Sequence, residues 1–264
     1  MPPLPASRPV SAVLITLDAA ASLAATLETL AFADEIIVVD SGSRDGTPEI
    51  ARRYGARVIE QAWLGFGRQK AFAVAQARND WVLCLDADER LSPALAASIA
   101  AALGGTGEPA HQAWRMARCN RFLGRYLRHG EGYPDWNLRL FHRAHARWSD
   151  DAVHEHVLTE ASVGTLTGDL LHDSAETLAG YLQKQNRYTT LAAEAAVAAG
   201  KRVGAARLLL SPLVRFVKFY VVRQGFRDGL PGLVHIAIGC FNSFAKYAKM
   251  LEIQRIASDT KVKQ

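Results

Sequence analysis

Short apolar runs that alternate with helical segments restrict this fold more than any single residue does. Val10–Thr16 (VSAVLIT), Glu35–Asp40 (EIIVVD) and Trp81–Asp86 (WVLCLD) are of strand length and apolar almost throughout. Runs without polar alternation suit strands buried on both faces. Between them, residues 18–30 place Leu23, Leu27 and Leu30 at helical spacing. Thr47-Pro48-Glu49 reads as a helix start, with a hydroxyl cap and proline at the first helical position, and Gly55 ends that helix. A third short strand is expected over residues 56–60, a helix over 68–78, and an alanine-rich helix from Ser92-Pro93 to about Leu103. Strands joined by helices through short connections predict a largely parallel sheet with helices on both faces.

After Gly104 the pattern changes. Residues 112–118, 138–143 and 163–171 read as strands without clear helices between them, so an antiparallel extension of the sheet is expected. From Glu176 the chain turns helical. The expected organisation is a disordered, proline-bearing lead-in over residues 1–9, an α/β catalytic domain over 10–175 and a helical region over 176–264. The lead-in has no apolar core and does not read as a signal peptide. Three cysteines, widely spaced and without a C-x-x-C, form neither a disulfide framework nor a zinc site; they suit a reducing, cytoplasmic compartment.

Asp40, Asp45, Asp86 and Asp88 all fall at or just after the carboxyl ends of expected parallel strands. Those ends share one edge of a parallel sheet, where open α/β folds bind ligands. In extended chain Asp86 and Asp88 share a face and suit a hard divalent cation. Alone, such a D-x-D equally describes a strand followed by a solvated acidic turn. A second acid-ended strand, followed by the glycine-bearing loop Ser41–Gly46, makes a ligand site the better reading. Neither a Walker G-K-[ST] nor a G-x-G-x-x-G is present, which argues against a P-loop or a dinucleotide-binding Rossmann domain.

VVDSGSRDGT followed by LDADE resembles the nucleotide-sugar-binding half of family 2 glycosyltransferases, which have the GT-A fold. GFGRQKAFA, PDWNLRLFHR, AVHEHV, GDLLHDS and KQNRYTTLAA extend the likeness over nearly the whole chain, toward the subgroup that adds a hexose to the lipopolysaccharide inner core. Leu17-Asp18-Ala19-Ala20 departs from the basic, asparagine and acidic run usual after the family's first strand.

The resemblance implies roles. Asp40 would contact the uridine of a UDP-sugar donor, and Asp45 would support that loop. Asp88 would contact Mg²⁺ or Mn²⁺ directly, with Asp86 on the ribose or acting through water, and His172 would complete the metal or diphosphate site. Arg68 and Lys70 are candidates for the diphosphate, while Glu89 is read as facing solvent. An inverting transfer needs a base for the acceptor hydroxyl; Glu155 is the first candidate and Asp151 the second. His154 and His156 lack a third ligand at zinc spacing. Trp136, Arg139 and Arg143 would frame a glycolipid or lipopolysaccharide-core acceptor, since aromatic faces pack sugar rings and arginines pair with phosphates.

The net charge is +5, and residues 195–227 carry seven lysines or arginines and no acid. A helix is expected to begin at Ser211-Pro212 and a second, after a break at Gly229, Pro231 and Gly232, over residues 233–251. Arg207, Arg215 and Lys218 interrupt the apolar run, so a span is not expected. A basic amphipathic pair of this kind predicts peripheral attachment to an anionic membrane surface. Nucleic acid is not expected as a partner, because the basic residues match no recognisable binding motif. Two rivals stand beside the transferase reading. One is a haloacid-dehalogenase-type phosphatase, which also uses D-x-D, although Glu89 and Arg90 follow here where threonine or valine is usual. The other is a non-catalytic membrane module that binds nucleotide-sugar.

Overall fold

The computed structural model describes residues 8–105, 107–151, 155–174 and 177–262. Most of the expected lead-in and residues 152–154 of the AVHEHV motif lie outside the described residues. The chain divides into two compact units. One holds the chain up to Asn120 together with Pro134–Asp173; the other holds Arg121–Tyr133 together with the chain from Ser174 onward.

The first unit alternates β1 (Val10–Thr16), α1 (Ala20–Glu28), β2 (Glu35–Asp40), α2 (Thr47–Arg53), β3 (Arg57–Glu60), α3 (Phe66–Ala75) and β4 (Trp81–Asp86). β5 (Glu89–Leu91) and α4 (Pro93–Leu103) follow. The later strands are β6 (Ala113–Phe122), whose last residues enter the second unit and pair with β7 (Arg125–Tyr126), then β8 (Asp135–His142), β9 (Ala146–Trp148), β10 (Val157–Thr159) and β11 (Val163–His172). Among the described residues the main sheet runs β3-β2-β1-β4-β8-β6-β11-β5. β1 to β4 pair in parallel, β8 is antiparallel to β4 and β6, and β9 pairs with β10 in a separate ribbon. The expected antiparallel extension is present, with one difference: β11 lies parallel to β6.

Side-chain alternation along β4 supplies both cores. Leu83 and Leu85 face Leu14, Leu23, Leu95 and Ile99, whereas Val82 and Cys84 face Val13, Ile37, Ala73 and Phe141. Helices therefore cover both faces, in the GT-A-like arrangement expected. Ser92 caps α4 as its sequence predicts, its hydroxyl accepting from the Leu95 amide at 3.2 Å. Thr47 is not the cap of α2. It is the first helical residue, after Gly46 at φ 86°.

The second unit contains α5 (Leu178–Ala198), α6 (Ala205–Phe216), a π-type turn over Val217–Val222, a 3-10 turn over Gly225–Asp228, and α7 (Gly229–Val262). Two expected boundaries fail here. Pro212 lies inside α6, which starts seven residues earlier after Gly204. α7 runs on from Gly229 because Pro231 falls in its first turn, where a missing amide costs no helical hydrogen bond. Asp228 ties the 121–133 excursion to these helices: its carboxylate accepts from the amides of Arg128 at 2.9 Å and His129 at 2.7 Å.

Candidate active site

Strand register brings the acid-ended strands level. Thr16 pairs with Asp40 across β1–β2, and Ile15 pairs with Asp86 across β1–β4. Asp40 is buried and organises the loop behind β2. One oxygen accepts the amides of Gly42 and Ser43 at 3.0 and 2.8 Å; the other accepts the hydroxyls of Thr16 at 2.8 Å and Ser43 at 2.5 Å. Burial pushes the Asp40 carboxyl up, and the bonds from Ser43, Thr16 and Gly42 outweigh it and hold the group below its ordinary value. With four donors on it, Asp40 shapes the loop. Asp45 braces the same loop by accepting from Thr47 and from the Ala20 amide at 2.9 Å. The segment that departs from the family pattern joins in: Asp18 accepts the Arg44 amide at 2.8 Å, and its own amide donates to the Ser43 hydroxyl at 2.8 Å.

β4 does not end in a loose acidic turn. After Ala87 and Asp88 the chain enters β5, which pairs with β11 so that Glu89 stands opposite His172. The Thr26 hydroxyl donates to the Ala87 carbonyl at 2.9 Å, and the Asp173 amide donates to the Asp88 carbonyl at 3.0 Å. This pinning sets the Asp88 carboxylate 3.3 Å from His172 Nε2. The other ring nitrogen, Nδ1, lies 2.7 Å from Asn120 Oδ1. An amide oxygen only accepts, so Nδ1 donates to Asn120 and the ring is held with Nε2 directed at the Asp88 carboxylate.

Beneath them lies a buried charge cluster. Asp86 receives Lys70 Nζ on Oδ1 at 2.9 Å and Arg139 Nη2 on Oδ2 at 2.8 Å. Arg139 also reaches Glu89 at 2.8 Å, and Glu89 accepts the Asp86 amide at 3.0 Å. Glu89 is wholly buried, which corrects its expected solvent exposure; a charge there is tolerable only because Arg139 and Arg118 surround it. Burial pushes the Asp86 carboxyl up, but the charges of Arg139 and Lys70 prevail and hold it well below the ordinary carboxylate range. The carboxylates of Asp86 and Glu89 in turn hold Arg139 more firmly protonated against the effect of burial.

Lys70 is not free to reach a diphosphate, contrary to expectation. Its ammonium is buried, bridges Asp86 and Glu155 Oε1 at 3.1 Å, and lies 4.8 Å from the Trp148 ring centre. Glu155 is thereby brought to the D-x-D strand. Gly67, one turn before Lys70, lets α3 approach closely: a Cβ there would collide with the Ser149 carbonyl. Arg139 is likewise an internal partner of Asp86, so its expected acceptor role is withdrawn. Arg68 faces solvent, 3.9 Å from Asp150, and Asp151 lies 3.5 Å from His156 Nδ1, also exposed. Trp136 is exposed, with the Arg115 guanidinium 4.9 Å from its ring centre. Arg143 belongs elsewhere. β8 runs antiparallel to β4, with His142 opposite Trp81, so Arg143 binds Asp80 at 3.2 Å at the amino end of β4. Five residues of strand put that end about 17 Å from Asp86.

The sequence reading passed over Gln69, Asn120 and Trp148. Gln69 is fully buried; its amide nitrogen reaches Ser41 Oγ at 3.1 Å and the Gln61 carbonyl at 3.3 Å, and its oxygen accepts the Leu64 amide at 3.2 Å. A glutamine in the helix before β4 was a visible cue, but its partners are distant in sequence.

Residues 11–161 match the profile of Glycosyl transferase family 2. The chain belongs to this family. Membership disposes of the phosphatase rival. This family 2 glycosyltransferase is 33% identical over 251 residues to the lipopolysaccharide core biosynthesis glycosyltransferase LpsC of Rhizobium meliloti (strain 1021), with 92% of each chain covered. It is 30% identical over 255 residues to an uncharacterized glycosyltransferase of Rickettsia felis, covering 92% of this chain and 89% of the relative. Among solved structures it is similar to the mannosyltransferase PcManGT from Pyrobaculum calidifontis in complex with GDP-Man and Mn2+. There the TM-score is 0.50 at 19% identity, covering 94% of this chain and 89% of that one, a likeness of fold.

Proposed function

We propose that this glycosyltransferase is a metal-dependent inverting enzyme that moves a hexose, glucose from UDP-glucose, to a hydroxyl of a lipopolysaccharide-core acceptor at the cytoplasmic face of a membrane. The observation that carries the reading is the shared ammonium of Lys70, which joins Glu155 to Asp86 on the D-x-D strand. A carboxylate held there suits a base for the acceptor hydroxyl; Asp151, exposed and paired with His156, is the second candidate. The likeness to LpsC supports the acceptor class.

The donor set at Asp88 and His172 fits a divalent cation. One carboxylate and one imidazole nitrogen face each other at 3.3 Å, and Asn120 holds the other ring nitrogen, as the outer partners of metal-bound histidines do. No group of three or more His, Cys, Asp or Glu able to hold a metal is assembled among the described residues, so an ion at Asp88 and His172 would also need phosphate oxygens of the donor. When bound, the ion would offset the charge that develops on a departing diphosphate. The protein's own part is to hold Asp88 and His172 in place, to keep Asp86 anionic, to offer the Ser41–Gly46 loop to the nucleotide and Trp136 to an acceptor sugar, and to take the hydroxyl proton on Glu155.

The test is turnover of UDP-sugars by purified protein with Mg²⁺ or Mn²⁺ and a heptose-containing acceptor. Glu155→Gln is expected to lower kcat by about 10²–10⁴-fold, the range for a general base, and Asp88→Ala to lower kcat together with its response to Mg²⁺ or Mn²⁺. UDP release that survives both substitutions refutes the site assignment. Loss in Asp151→Asn with retention in Glu155→Gln would move the base to Asp151. Donor binding without turnover under any condition would leave the non-catalytic module.

A further inference from the structure

The second unit carries a helix with an exposed aliphatic face. Leu209, Leu210, Leu213, Val214, Val217 and Val221 follow one another at spacings of one, three and four residues through α6 and the π-type turn. At 3.6 residues per turn they form one continuous stripe. All six face solvent, between 45% and 67% exposed. The packed side is mixed: Leu208, Pro212, Phe216 and Phe219 are half-buried there, the Ser211 hydroxyl meets that of Ser243 on α7 at 2.8 Å, and Arg215 pairs with Glu131. Gly239 on α7 leaves room for that pair, since a Cβ there would strike both side chains. A water-facing helix of a globular unit shows the opposite arrangement, and a contiguous aliphatic face of this kind marks an interaction surface.

Charge selects the partner. Arg207 and Lys218 lie along one margin of the stripe, and Lys201, Arg202, Arg223 and Arg227 follow on either side in sequence, with no acid from 195 to 227. An acidic protein groove would also welcome cations, but the exposed surface here is aliphatic and unbroken by hydrogen-bonding side chains, as hydrocarbon requires. No helix among the described residues is long and apolar enough to cross a membrane. We propose that the 209–221 stripe inserts into the acyl boundary of an anionic bilayer, with the flanking cations at the headgroups. This locates the expected amphipathic attachment in one segment: insertion of the aliphatic stripe supplies the attachment and charge adds to it. The proposal does not depend on which donor or acceptor the enzyme uses.

The experiment is co-sedimentation of the full chain with phosphatidylcholine vesicles, with and without phosphatidylglycerol. Wild type is expected to bind phosphatidylglycerol vesicles and to stay partly bound in high salt. Leu210→Ser/Leu213→Ser/Val217→Ser is expected to weaken binding by at least ~10-fold, since each buried aliphatic group adds to partitioning, while UDP-sugar hydrolysis and the melting temperature stay near wild type. Lys218→Gln/Arg223→Gln should weaken binding less and reduce its salt dependence. Val214→Cys carrying an environment-sensitive dye gives a second readout: its emission should shift to the blue on vesicles. Equal sedimentation of the stripe variant, an unshifted dye, or complete release of wild type by salt overturns the proposal. So does a wild-type dimer, broken by the stripe substitutions, that ignores vesicles; the face would then join two copies.

Discussion

Replacing Lys70 with methionine keeps most of the side-chain volume and removes the charge that links the two halves of the site. In the native protein that ammonium makes ion pairs of 2.9 Å with Asp86 and 3.1 Å with Glu155, and its side chain is 7% exposed. Breaking one partner out of a buried pair costs about 3–5 kcal/mol. Asp86 keeps Arg139 at 2.8 Å and Glu155 is 20% exposed, so the lower end, about 3 kcal/mol, applies. For a chain of this size that is a fall in Tm of about 6–12 °C. The loss should depend on pH in a defined direction. Asp86 has a folded-state pKa below its unfolded value, so the stability it confers is present above about pH 4 and is lost as pH falls through and below that value. The gap between wild type and Lys70→Met should therefore be widest near neutral pH and narrow in acid. Thermal unfolding at neutral pH and near pH 3 checks this, and steady-state kinetics checks the second consequence: kcat should drop, while Lys70→Met/Glu155→Gln is no slower than Glu155→Gln alone. A Tm change within ~2 °C at neutral pH, well under the expected shift, would refute the clamp. Additive kinetic effects would refute its action through Glu155.

Gly67→Ala places a methyl against the Ser149 carbonyl, so α3 must back away from the loop bearing Glu155; kcat is expected to fall with UDP affinity nearly unchanged, and isothermal titration of UDP beside turnover distinguishes this from general unfolding. Burial pushes the Cys84 thiol up to about 12, so Ellman's reagent should leave it unmodified at neutral pH in the folded protein. The half-buried Cys240 should react first, and all three thiols only in denaturant; rapid native labelling of Cys84, mapped by mass spectrometry, would contradict the packing around β4.

The first four strands, their parallel pairing and the placement of Asp40 and Asp86 at strand ends on one edge were legible because each rests on local pattern: an apolar run, an acid at its end, a turn behind it. That Glu155 pairs with Lys70 and His172 meets Asp88 could not be read from local pattern, since the partners are far apart in sequence. Glu89, Lys70 and Arg139 were misassigned for one shared reason. Each looks like a surface charge in its own segment, and each is buried by a partner that periodicity does not reveal, as with Arg139 and Glu89, 50 residues apart. Arg143 failed on direction: a strand's polarity in the sheet decides which edge its last residue reaches. In the C-terminal helices the alternation of aliphatic and basic residues was plain, but which side faces outward depends on Glu131 and Ser243, far away in sequence.

The short β5 ladder has a kinetic consequence. The contacts that close the site join residues far apart along the chain, 85 positions for Lys70 with Glu155 and 83 for Arg90 with Asp173. Contacts of such separation carry a large loop-closure cost and form after local ones. Parallel pairing of β1, β2 and β4 can proceed without them, but Asp88 meets His172 only once β11 has docked. A chain still emerging from the ribosome would hold the Ser41–Gly46 loop before it brings Asp88 to His172. If the proposed function holds, the cation site would be the last part of this unit to form, so a half-made chain would lack it.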